Sequence, residues 1–201
     1  MPGPTPGIAP LPALPAALAE CRRVVAVTVG LPELLLDAAG LLQRFGAAGV
    51  QTDVLVAAAT DDRTDSAAAA GLGELRVSGL ARHRLGLPAP FGADRADDLL
   101  AAMSELVGFD PEPGVFCLAP STDGREPSRA TVGAAAERIA GVYRLPLVRF
   151  SATADDASAD LELNADEWTR KCAGLAACAT QVLPLSGRRE YFTLRAAVPR
   201  P

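Results

Sequence analysis

Residues Val24–Gly49 read VVAVTVGLPELLLDAAGLLQRFGAAG, and this stretch decides the fold class. Val24, Val25, Ala26, Val27 and Val29 form a short β-branched apolar run. Such a run suits a parallel strand covered on both faces rather than an alternating, half-wet one. Gly30 and Pro32 end it. Leu34, Leu35, Leu41, Leu42 and Phe45 then recur at helical spacing, with Gly46 or Gly49 available as a C-terminal cap. Gln51–Ala58 (QTDVLVAA) is the next buried strand. Strand, helix and strand make a βαβ unit, and ligands bind at the carboxyl end of its first strand. That loop is Val29-Gly30-Leu31-Pro32-Glu33.

Outward from this unit, strands and helices keep alternating. Thr60–Ser66 is a polar loop, and Ser66–Arg82 is expected to be helical in its later part, against three glycines. His83–Leu87 is a short strand. Asp94–Val107 is a helix with an acidic first turn that complements its dipole. Val115–Ala119 is an apolar strand, Pro120–Arg129 a polar loop, Ala130–Val142 a helix and Leu145–Phe150 a strand. Asp155–Asp160 is an acidic loop, Leu161–Asn164 an edge strand, Asp166–Thr180 a helix, Ser186–Arg189 a turn and Tyr191–Ala196 the last strand. The alternation predicts an α/β fold with a mostly parallel sheet, in one domain spanning 21–198. Residues 1–20, rich in proline and without a basic start, read as a flexible arm, disordered or loosely docked, and not a signal peptide.

Composition narrows the function classes. The 201 residues are 49% hydrophobic but only 4% aromatic, and the net charge is −5. Few aromatics argue against a single-strand stacking surface, and the negative charge argues against nucleic acid or an anionic membrane as partner. No apolar run is long enough to span a bilayer, so a cytoplasmic protein is expected. Cys21, Cys117, Cys172 and Cys178 form no C-x-x-C pair, so neither a zinc knuckle nor a redox motif is predicted, and the thiols should be free.

The order of elements resembles the LmbE/PIG-L-type N-deacetylases, zinc hydrolases acting on amino-sugar derivatives, over roughly Arg23 to Leu194. That resemblance implies a Rossmann-like three-layer fold. The strand VVAVTV, the Ala39-Gly40 pair and the helix LLQRFGAAGV match the family's opening, and Thr60-Asp61-Asp62 stands where its Thr-Asp-Gly loop would be. Pro120-Ser121-Thr122-Asp123-Gly124, then Arg125-Glu126-Pro127-Ser128 and Arg129-Ala130, parallels its later histidine loop. Lys171, Leu175, Cys178, Thr180 and Gln181 resemble its C-terminal helix.

The departures fall on the chemistry. Carried over position by position, the first histidine ligand becomes Gly30 and the general base Pro32. The liganding aspartate becomes Glu33. The later-loop histidine ligand becomes Ser128, its preceding histidine Arg125, and the C-terminal-helix histidine Cys178. His83, the only histidine in the chain, lies in a strand away from these loops. A catalytic zinc needs three protein ligands and an open water position. Without it, water keeps its bulk pKa, far above the value of about 7 that zinc-bound water takes. The sequence therefore implies a family scaffold with no zinc and no other cofactor.

Gly30, Glu33, Asp37, Asp61, Asp123, Arg125, Ser128 and Arg129 are expected to rim one pocket, or to be ordinary solvated loop residues. Arg125 and Arg129 could fork onto an anionic or carboxylate-bearing ligand. A Glu33–Arg125 ion pair filling the metal position is an equally simple alternative. Cys178 is a weak candidate nucleophile, since nothing in the sequence puts a base beside it. Three functions follow as expectations. The first is a catalytically degenerate ligand- or partner-binding component of a biosynthetic pathway, for a sugar- or amine-bearing small molecule. The second is a metal-independent enzyme reusing the pocket, with Glu33 or Asp123 as acid or base. The third is a structural subunit that stabilises an active paralogue through exposed outer-helix hydrophobics, and a protein partner or homo-oligomer is the corresponding partner expectation.

Overall fold

The computed structural model describes residues 18–122, 126–151, 153–154, 157–178 and 187–196. Seven strands form one sheet: β1 (Arg23–Thr28), β2 (Gln51–Ala58), β3 (Leu80–Leu87), β4 (Val115–Pro120), β5 (Leu147–Ser151), β6 (Ala159–Glu162) and β7 (Arg189–Arg195). Their order is β3-β2-β1-β4-β5-β7-β6. The first five are parallel, and β7 runs antiparallel to both β5 and β6. Five α-helices cover the two faces: α1 (Leu31–Ala47), α2 (Asp62–Glu74), α3 (Ala96–Val107), α4 (Pro127–Tyr143) and α5 (Ala165–Cys178).

The valine run of β1 is explained by burial on both sides. Val24 and Ala26 join the core under α1, α2 and α5, while Val25 and Val27 join the one under α3 and α4. The strand order reverses direction between β1 and β4. In an open parallel sheet, that switch point opens a crevice at the carboxyl ends of the strands. The α1 and α4 helices begin there.

Several expected boundaries move. Helix α2 begins inside the expected Thr60–Ser66 loop and takes the early part of the Ser66–Arg82 stretch, not the later part, because Asp61 caps it by accepting from the Thr64 amide at 2.7 Å. It stops at Glu74, and the left-handed Arg76 (φ 53°) and Gly79 (φ 70°) turn the chain into β3, which starts at Leu80. Helix α4 starts at Pro127, inside the expected loop, with Glu126 as its cap. Strand β6 is Ala159–Glu162, two residues earlier than expected. The 1–17 part of the arm, the 155–156 part of the acidic loop, Thr180, Gln181, Ser186 and the tail from 197 lie outside the described residues. No helix among the described residues is long and apolar enough to cross a membrane.

Candidate functional site

Two helix starts build the site. At α1, Gly30 is an extended N-cap without a side chain to offer, so the first-turn Glu33 supplies the acceptor instead. Its Oε2 accepts from the Val29 amide at 3.2 Å and lies 2.8 Å from Thr28 Oγ1. This is a helix-start carboxylate meeting free N–H groups and the positive end of the dipole. At α4, Pro127 pre-sets the first turn, and the Glu126 carboxylate accepts from the Ser128 amide (3.0 Å) and the Arg129 amide (2.7 Å). That cap holds the start of α4 where the Arg129 side chain can cross to α1.

The Arg129 guanidinium then bridges three elements. Its Nη1 donates to Glu33 Oε1 at 2.5 Å, and both terminal nitrogens reach Asp37 Oδ2 at 3.4 Å. Its Nη2 also approaches the Phe150 carbonyl at 3.4 Å, and the guanidinium stands 5.7 Å from the centre of the Phe150 ring. Asp37 is 3% exposed. Burial pushes its carboxyl up to about 6, against the pull of Arg129 and with the help of neighbouring Glu33.

The cluster continues inward. Lys171 and Glu190 form an ion pair at 2.8 Å, each 1% exposed. Glu190 also accepts from the Gly40 amide (2.8 Å) and the Leu41 amide (3.1 Å). Gly40 is required here, because a Cβ would sit 2.8 Å from Leu163 Cγ and 3.1 Å from Glu190 Oε2. Lys171 is near enough to add its positive charge to the field at Asp37. Charges of alternating sign thus run from the β1 mouth into the α1–α5 contact.

The predicted site residues separate. Glu33, Asp37 and Arg129 come together. Gly30 caps α1, and its carbonyl lies 2.9 Å from Thr28 Oγ1. Ser128 is buried and accepts the Phe91 amide on its Oγ at 3.0 Å, tying the loop after β3 to α4. Asp61 is spent on its cap. Asp123 and Arg125 lie outside the described residues. The ion pair on Glu33 is made by Arg129. Because Arg129 is committed to two carboxylates and a carbonyl, it is not free to fork onto an anionic ligand as expected.

His83 lies on β3 with Nε2 3.0 Å from Asp53 Oδ1, and Asp53 also pairs with Arg23 at 2.9 Å. That is a structural network between strands. Cys178 is buried, its thiol directed at the Ala67 and Ala68 carbonyls, and burial pushes it up to about 11. It is not a nucleophile at neutral pH. All four cysteines are free thiols. Thr28, Phe150 and Glu190 were missed. Thr28 carried a signal, a hydroxyl inside an otherwise apolar strand. The other two carried none.

Zinc can be tested against this donor set. No group of three or more His, Cys, Asp or Glu among the described residues is placed to hold a metal ion. Glu33 and Asp37 are the carboxylates at the β1 mouth, and a fixed guanidinium already pairs with both. The described residues do not fit zinc.

The sequence matches no protein-family model and no curated relative. Solved structures do match. The N,N'-diacetylchitobiose deacetylase from Pyrococcus horikoshii superposes with a TM-score of 0.68 at 11% identity, over 90% of this chain and 86% of that one. The chain carries the LmbE/PIG-L deacetylase fold. The conserved protein TT1542 from Thermus thermophilus matches at 0.65 and 17% identity, over 90% of this chain and 97% of its own. GalB, the 4-carboxy-2-hydroxymuconate hydratase from Pseudomonas putida KT2440, matches at 0.58 and 16%, over 80% of each chain. The LmbE/PIG-L fold is therefore found in proteins described as a deacetylase and as a hydratase.

Proposed function

We propose that the chain is an LmbE/PIG-L-type scaffold without zinc-dependent deacetylase activity, working in the cytoplasm as a ligand- or partner-binding component of a biosynthetic pathway. The observation that carries this reading is the Glu33–Arg129–Asp37 cluster. A guanidinium cannot supply what a zinc-bound water does. It carries one charge, offers only donors, and leaves water's pKa near that of the bulk. A divalent cation entering here would also have to displace a cation already paired at 2.5 Å. The ligand class follows the deacetylase neighbours, a sugar- or amine-bearing small molecule.

The test is elemental analysis of the purified chain after incubation with zinc, followed by N-acetyl-amino-sugar deacetylation assays. The expected result is well under one zinc per chain and no turnover above a Glu33→Ala control. Stoichiometric zinc with zinc-dependent acetate release would overturn the reading.

A metal-independent enzyme is the second reading, favoured by one observation: the buried Asp37 carboxyl titrates near the range a general acid or base uses. It requires a pH–rate profile with a limb near 6 that disappears in Asp37→Asn.

A further inference from the structure

The outer face of the α3–α4 layer carries chemistry that the β1 cluster does not use. Both helices follow parallel strands, so both start at the carboxyl edge of the sheet and run back alongside one another. Between them lies a groove of about 390 Å³ lined by Ala93, Ala96, Leu100, Ala130, Ala134 and Arg138, among others. The α4 side of this strip repeats every four residues and continues to Val142, which is 69% exposed. Phe109, two residues past α3, is 99% exposed. These two are the exposed large hydrophobics among the described residues.

Charge then says what covers the strip. The outward ridge of α3 is acidic, with Asp97, Asp98 and Glu105 exposed. Its neighbour Arg95 is engaged by Asp94 and Asp98 of its own segment. On α4 the exposed Arg138 flanks the groove. Neither Arg138 nor Glu105 makes a side-chain hydrogen bond or ion pair among the described residues. Arg138 stands eleven residues after the start of α4 and Glu105 nine after the start of α3. At 1.5 Å per residue, both lie about 14–16 Å down their helices, at nearly one level.

We propose that this face docks a second copy of the chain as an isologous dimer. A two-fold axis parallel to the helices lays α3 of one copy over α4 of the other. It brings Arg138 opposite Glu105 of the second copy twice, and it covers both apolar strips. A strip two helices wide is smaller than the roughly 800 Å² per partner of a standard stable interface, so the association is a weak, reversible one in the micromolar range.

The test is sedimentation equilibrium of the full chain from about 5 to about 200 µM. Wild type should shift from monomer to dimer across that range. Arg138→Glu should weaken association about tenfold or more, and Arg138→Glu combined with Glu105→Arg should restore it. Ala134→Glu, an exposed change whose folding is checked by circular dichroism, should abolish it. A monomer at every concentration overturns the proposal. So does a dimer indifferent to Arg138→Glu, or a double variant no better than the single.

Discussion

Arg129 is the residue on which the candidate site turns. It bridges Glu33 and Asp37, and without it two partly buried carboxylates stand one turn apart on the same face of α1. Arg129→Met should therefore cost about 3–5 kcal/mol by urea unfolding, the range for stranding buried charge. Arg129→Lys should recover less than half, because a point charge cannot span two carboxylates and a carbonyl as the planar fork does. A loss under about 1 kcal/mol would mean the cluster is solvated. Asp37 makes the second residue-scale prediction. Its folded pKa is raised to about 6, above the unfolded value, so the folded chain holds the extra proton. The stability linked to that proton is fully present below about pH 4 and is lost as pH rises through about 6. Asp37→Asn cannot titrate. Its stability relative to wild type should rise by roughly 2 kcal/mol between about pH 4 and about pH 7.5. A change of opposite sign would show that Arg129's attraction outweighs burial.

At the scale of elements, α5 is secured by two contacts of different kinds. One is the buried Lys171–Glu190 pair, which joins α5, β7 and the middle of α1. Lys171→Met leaves Glu190 with two backbone donors and no counter-charge. It should lower stability by about 3–5 kcal/mol, and the double change Lys171→Met with Glu190→Gln should recover part of that, since a neutral amide carries no stranded charge and still accepts from Gly40 while losing the Leu41 bond. If single and double cost the same, packing rather than charge dominates. The other contact is the α2–α5 crossing at Gly71 and Gly174. A Cβ on Gly71 would fall 2.2 Å from Cys178 Sγ and 2.6 Å from the Gly174 carbonyl. Alanine normally gains about 1 kcal/mol over glycine within a helix. Here backbone must move, so Gly71→Ala should instead destabilise by about 2 kcal/mol or more, read as a lowered Tm. Sequence periodicity treated Gly71 only as a weakness in a helix, because the close approach comes from a helix about a hundred residues away in the chain.

For the whole molecule, what was legible in the sequence is what neighbouring residues impose on one another. The two-sided apolar run of β1 dictated a covered parallel strand, and helical spacing dictated α1 and α3. The count of a single histidine, on β3, limits the chain to one imidazole. The α2 boundary was misread because a capping Asp61 outweighs the glycines that follow, a local signal that was present but underweighted. What only the tertiary structure decided is which distant charges meet. Glu33 and Arg129 are 96 positions apart in the chain, and Lys171 reaches α1 only through Glu190 on the last strand. Period and propensity act over a few residues, whereas ion pairing in a low-dielectric interior depends on distances that the sheet order alone sets. The sheet order also placed α3 beside α4, leaving Arg138 and Glu105 on one outer face with no partner among the described residues.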